Sequence, residues 1–78
     1  MELDIRGQRA DDALEALDHY IEDAYLAGMP FVRIIHGKGT GRLRQLIREA
    51  LKQSSHVTTY ESGLEGEGGD GVTVAHLA

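Results

Sequence analysis

The stretch from Phe31 to Leu51 constrains the fold more than any other part of the chain. It reads FVRIIH, then GKGTG, then RLRQLIREAL. The first segment is apolar and β-branched and predicts a short buried strand, Phe31 to His36. The last predicts a helix from about Gly41 to Gln53, because Leu43, Leu46, Ile47, Ala50 and Leu51 recur at helical spacing. Between them Gly37, Gly39 and Gly41 permit a tight turn that bares successive backbone N–H groups. A helix N-terminus behind the turn adds the positive end of its dipole. Such a strand, loop and helix suit an anion, most often a phosphate.

The flanking segments extend this unit. Leu3 to Arg6 alternates as a short strand, with Leu3 and Ile5 on one face and Asp4 and Arg6 on the other, and Gly7 ends it. From Ala10 to Ala27 the apolar residues Ala10, Ala13, Leu14, Leu17, Ile21 and Ala24 form one helical stripe. Asp11 and Asp12 suit its first turn, Gly28 its C-terminal cap, and Pro30 prevents its continuation. Val57 to Ser62 and Val72 to Leu77 are β-prone, with a loop from Gly63 to Gly71 between them.

The resulting order, β-α-β-α-β-β, predicts an α/β fold: a two-layer sandwich with a four-stranded mixed sheet. Right-handed crossovers make the first three strands parallel and set both helices on one face. The last two strands are expected to run antiparallel, their place in the sheet left open. Parallel strands bring Arg6, Gly7, His36 and the glycine loop to one carboxyl edge, where ligands bind in such sheets.

At 78 residues the chain has room for one core, so residues 1–78 read as a single domain. It enters its first strand almost at once, as expected of a domain excised from a larger protein. It has no cysteine, which removes disulfides and thiolate chemistry and fits a reducing, cytoplasmic setting. Its apolar runs fall far short of the ~20 residues needed to span a bilayer, so no membrane partner is expected.

The net charge of −5 hides an uneven distribution. Arg33, Lys38, Arg42, Arg44, Arg48 and Lys52 are six of the eight basic residues, and Glu49 is the only acid from Phe31 to Lys52. Local sign steers a polyanion more than net charge does. The row Arg44, Arg48 and Lys52 is expected on the far side of its helix from the core, next to the glycine loop. Such a row serves either nucleic acid or mere solubility.

His36 is the acid/base candidate at the strand end, able to move a proton or to donate to a phosphate. Its alternative role is to pin the loop through a backbone carbonyl. Arg6 suits a phosphate clamp, with Asp4 as a base or as the group that orients His36; alternatively the two form an internal ion pair. Lys38 is the point charge for a phosphate. The loop is neither a Walker A sequence nor a dinucleotide fingerprint, which disfavours ATP and NAD. The four histidines lack metal-ligand spacing, so a zinc site is not expected.

Three ordered stretches carry a family resemblance. Leu3-Asp4-Ile5-Arg6-Gly7, Ile34 to Gly41 and Glu67-Gly68-Gly69-Asp70-Gly71-Val72-Thr73 resemble the L-D-L-R, H-G-x-G-x-G and E-G-G-x-G-V-T motifs of the Smr (small MutS-related) domain. Ile5 in place of the usual leucine is the one departure. The extent of the match is most similar to the C-terminal domain of the bacterial MutS-like paralogues associated with suppression of recombination.

The resemblance implies a fold similar to the C-terminal domain of translation initiation factor 3. It also implies a DNA endonuclease that nicks branched or structured DNA in recombination control or repair. Some relatives act instead on RNA or stalled ribosomes. Carried over by position, His36, Asp4, Arg6 and Lys38 are the catalytic candidates. Gly37, Gly39 and Gly41 carry over as phosphate-binding residues, and the charge pattern adds Arg42, Arg44, Arg48 and Lys52 to them. Glu67 joins them; with Asp4 it would supply oxygen ligands for one Mg²⁺. A metal-free route through His36 is equally writable. The alternatives are a non-catalytic module for DNA junctions or structured RNA, and a small-molecule phosphate binder, for which no stretch closes a pocket.

Overall fold

The computed structural model describes residues 2–78. The elements are β1 (Glu2–Asp4), α1 (Ala10–Leu26), β2 (Phe31–Ile35), α2 (Arg42–Gln53), β3 (Val57–Ser62) and β4 (Val72–Leu77). Two 3₁₀ turns, Glu65–Glu67 and Gly69–Gly71, occupy the loop before β4. No helix among the described residues is long and apolar enough to cross a membrane.

Local sequence explains the helix ends. α1 begins with Asp11 and Asp12 in its first turn, where acids favour the exposed N–H groups. It stops one residue short of the expected Ala27, because Gly28 turns left-handed at φ 75°. The Met29 amide then donates to the Ala24 carbonyl (3.0 Å) and the Gly28 amide to that of Tyr25 (3.0 Å). This is a Schellman closure, which satisfies carbonyls that the helix end would otherwise orphan.

The sheet order is β1-β2-β4-β3. β2 runs parallel to β1, and β4 runs antiparallel to both β2 and β3, so β1, β2 and β3 share one direction, as expected. The place of β4, which the sequence leaves open, is between β2 and β3. β1 ends at Asp4 rather than Arg6. Ile5 still donates to the Ile35 carbonyl (2.9 Å), but the Gln8 amide turns back on the Ile5 carbonyl (3.2 Å) and breaks the ladder. β2 likewise stops at Ile35, one residue before His36.

Both helices pack on one face of the sheet. Ala13, Leu17, Ile21 and Ala24 of α1 and Ile47 and Leu51 of α2 meet Ile5, Val32, Ile34, Ala75 and Leu77 in a single core. Burial of each large aliphatic side chain contributes roughly 1.5–3 kcal/mol. The two-layer sandwich therefore stands, and the three parallel strands deliver their carboxyl ends to one edge.

Candidate nucleic-acid interface at the sheet edge

The loop after β2 is held from one side and open on the other. The amides of His36 and Gly37 both donate to the Gly71 carbonyl, at 3.1 and 3.0 Å. Gly37, Gly39 and Gly41 then take φ values of 80°, 37° and 82°, a region that other residues enter only with strain. Gly41 caps α2 with its backbone alone and supplies no side-chain bond. Its amide donates to the Lys38 carbonyl (3.0 Å), closing the turn. Among the described residues the amides of Lys38, Gly39 and Thr40, and those of Leu43 and Arg44 in the first turn of α2, find no acceptor within the chain. They border a crevice of about 320 Å³ whose walls include Gly7, Gln8, His36, the loop and Arg42 and Arg44. Thr40 Oγ1 accepts from the Arg42 amide at 3.4 Å, and the remaining open amides of the helix start and the basic loop, bordering one crevice, make an anion-binding geometry.

Arg6 lies along this loop, its Cγ 3.5 Å from where a Cβ on Gly37 would stand. Its guanidinium grips Asp4 in a fork, Nε to Oδ1 at 2.9 Å and Nη2 to Oδ2 at 2.6 Å, and its amide also donates to Oδ1 at 3.1 Å. These bonds from Arg6 bring the Asp4 carboxyl down to about 2. The pair is solvent-exposed. This is the internal ion pair expected as the alternative; Asp4 partners Arg6 and does not orient His36.

His36 is 5 % exposed, its ring set inward behind the loop. Nδ1 lies 2.8 Å from the Gly37 carbonyl and Nε2 lies 2.8 Å from Thr73 Oγ1. Burial disfavours the charged ring, and nearby Arg44 and Arg48 add to that effect against the opposing pull of the Gly37 carbonyl. Of the two roles expected of His36, a proton carrier at an open edge or a pin on a backbone carbonyl, these contacts match the pin.

The basic row is split. Arg44 and Arg48 are half-buried, whereas Arg42 and Lys52 are exposed. Arg48 Nη2 donates to Ser62 Oγ at 2.8 Å, and the guanidinium sits 5.4 Å from the centre of the Tyr60 ring. The expected stripe opposite the core is therefore corrected. Ile47 and Leu51 are the buried residues of α2; Arg48 turns to the flank facing β3, while Arg44 lines the crevice at the loop. The Nε atoms of both arginines are buried without an acceptor.

Glu67 stands apart from the loop. Arg33 holds it, Nη1 to Oε2 at 3.0 Å and Nη2 to its carbonyl at 2.6 Å. Asp4 and Glu67 are thus each committed to an arginine of their own. No group of three or more metal-binding side chains occurs among the described residues. The expected magnesium pair thus consists of two carboxylates already held by arginines, with no third such donor beside them among the described residues.

Sequence reasoning missed two groups at the site, the Gly71 carbonyl and the Thr73 hydroxyl. Both lie in the third motif, Glu67 to Thr73, but their contact with the loop depends on β4 lying beside β2. Strand order was the missing signal.

Comparison with known proteins follows the same outline. The Smr domain family model matches residues 3–78. An endonuclease MutS2 from Symbiobacterium thermophilum is 57 % identical over 76 residues, covering 97 % of this chain and 10 % of its own length. One from Geobacillus thermodenitrificans is 56 % identical over 77 residues, covering 99 % and 10 %. The chain thus spans about a tenth of the length of the curated relatives it matches. The crystal structure of the Smr domain of Thermus thermophilus MutS2 superposes with a TM-score of 0.96 at 45 % identity, covering 99 % of this chain and 96 % of that one. YdaL, a stand-alone small MutS-related protein from Escherichia coli, gives 0.84 at 26 % identity, covering 97 % and 63 %. With its whole fold and all three motifs accounted for, this chain belongs to the Smr domain family.

Proposed function

We propose that the domain is an endonuclease that seats one phosphate of a nucleic-acid strand on the glycine loop and hydrolyses the phosphodiester bond. One observation carries this reading: five open amides, from Lys38, Gly39, Thr40, Leu43 and Arg44, border a crevice shared with Lys38 and Arg42. Loop amides, Lys38 and Arg6 would stabilise charge developing on the phosphate oxygens. Asp4, kept ionised by Arg6, orients the attacking water and accepts its proton as the P–O bond to the leaving oxygen breaks. Solvent returns a proton to that oxygen. His36 acts by positioning the loop. No step is assigned to a metal.

Arg44 and Arg48 extend the contact along α2, and Lys52 and Arg42 supply exposed charge at its two ends. The relatives named endonuclease MutS2 support the enzymatic reading. Branched or structured DNA, as met in recombination control or repair, is the proposed substrate.

A second reading, a binding module for structured DNA or RNA that does not cut, is favoured by one observation. Both ring nitrogens of His36 are taken, and Asp4 at about 2 is a weak base. The test incubates supercoiled plasmid, a DNA junction and a structured RNA with wild type, Lys38→Ala and Asp4→Asn, with and without magnesium. Nicked DNA from wild type, reduced in both variants, supports the first reading. Salt-sensitive binding with no product above a mock purification replaces it with the second.

A further inference from the structure

We propose that Thr73 is a positioning residue for the anion-binding loop, donating to Nε2 of His36 and so holding the ring where its Nδ1–H meets the Gly37 carbonyl. Thr73 is wholly buried on β4, between Ile34 of β2 and Ser62 of β3. Its Oγ1 and the Gly37 carbonyl hold the two nitrogens of the ring, each at 2.8 Å.

A carbonyl oxygen only accepts, so Nδ1 carries the hydrogen. A neutral imidazole has one N–H, which leaves Nε2 as an acceptor and makes the Thr73 hydroxyl the donor. The hydrogen bonds therefore run in one direction, from the Thr73 hydroxyl to Nε2 and from Nδ1 to the Gly37 carbonyl. The opposite tautomer would set the Nδ1 lone pair against the carbonyl oxygen. The charged groups facing the ring are Arg44 and Arg48 of α2, which oppose its protonation.

The effect reaches the crevice through one peptide plane. In a trans peptide the N–H points opposite to the C=O. With the Gly37 carbonyl drawn inward to His36, the Lys38 N–H is directed away from the ring, and it is one of the amides left open. Two residues before Thr73, the Gly71 carbonyl fixes the preceding planes by accepting from the His36 and Gly37 amides. The start of β4 is thus a template on which the loop is laid.

The link to anion binding rests on the function proposed above, whereas the direction of the hydrogen bonds can be measured without it. The experiment uses ¹⁵N-labelled chain with wild type, Thr73→Val, which keeps the shape and loses the hydroxyl, and Thr73→Ser, which keeps the hydroxyl. Ring-nitrogen NMR reads the His36 tautomer, the Lys38 amide resonance reads the loop, and inorganic phosphate and a short single-stranded oligonucleotide serve as probes.

Wild type and Thr73→Ser are expected to show a neutral ring protonated at Nδ1. Thr73→Val is expected to leave Nε2 without its donor and shift that nitrogen's signal, shift the Lys38 amide, and bind both probes roughly tenfold more weakly, the scale of one lost hydrogen bond. An Nε2–H ring in wild type overturns the proposal whether or not the valine variant folds. So does a Thr73→Val protein with wild-type ring signals, Lys38 amide and affinity. If wild type binds neither probe while ring and amide follow the expected pattern, the positioning role of Thr73 is upheld and the phosphate reading falls.

Discussion

Glycine is prominent in two loops of this molecule, at 37–41 and at 63–71, yet the loops differ in what their backbones do. In the first, the amides of Lys38, Gly39 and Thr40 have no acceptor among the described residues. In the second, the chain closes on itself. Gly63 donates to the Gly69 and Val72 carbonyls, Glu67 and Gly69 both donate to that of Leu64, and Gly71 donates to that of Gly68. Charge follows the same division: Lys38 and the adjoining Arg42 mark the first loop, and Glu65, Glu67 and Asp70 the second. Glycine content alone therefore says little about anion binding. Unsatisfied donors and the sign of nearby side chains decide it. The closed loop still serves the open one, since its Gly71 carbonyl is the peg on which the first loop hangs.

Substitutions should separate the two roles. The largest effect is expected from Gly68→Ala in the closed loop. Gly68 has φ 104°, and an added Cβ would lie 2.5 Å from Val72 Cγ2, so backbone strain and overpacking combine. A loss of about 3 kcal/mol in chemical denaturation is expected; a loss below about 1 kcal/mol would show that this loop is not a structural clasp.

In the open loop, Lys38→Ala should leave stability within about 0.5 kcal/mol of wild type. It should weaken oligonucleotide binding roughly tenfold and flatten the salt dependence by about one phosphate contact. Unchanged affinity and slope would remove Lys38 from the interface.

A pH series tests the buried histidine between the loops. His36 is held below the ordinary histidine value of 6.5, chiefly by burial. As pH falls through about 6.5 the unfolded chain takes up a proton that the folded chain refuses, so stability declines until the folded-state value is passed. The decline measured between pH 7.5 and 5.5 should be smaller in His36→Gln than in wild type. Equal slopes would mean that His36 titrates as it does in the unfolded chain.

The smallest effect is expected from Glu67→Gln. It removes an exposed ion pair with Arg33, worth about 0.5 kcal/mol. Cleavage should be unchanged with or without magnesium. A magnesium-dependent loss in this variant would reinstate Glu67 as a ligand.

Much of this architecture was legible in the sequence. β3 and β4 lie where their β-branched runs end, and both helices follow their apolar stripes to within a residue. The meeting of Arg6, His36 and the glycine loop at one edge followed from parallel strands alone. What could not be read depended on long-range packing. The inward turn of the His36 ring needs Thr73 from the far end of the chain. The flank position of Arg48 needs Tyr60 and Ser62 of β3. The Arg33–Glu67 pair joins residues whose sequence neighbours give no hint of contact. Periodicity locates the buried stripe of α2, but its centre can shift by one residue, and that shift sends Arg48 toward β3.

The position of β4 bears on how the domain comes into being. The strand latest in sequence lies between two earlier ones, and β3 has no partner in the sheet except β4. Until β4 inserts, β1 and β2 form only a two-stranded ribbon and β3 is unpaired. β4 pairs with β3 locally, across the 63–71 loop, but its pairing with β2 joins Phe31 to His76, and contacts of such sequence separation are slow to close because chain entropy is lost before they reward it. The same insertion brings in Gly71 and Thr73. Ordering of the glycine loop is therefore tied to the long-range pairing of β4 with β2.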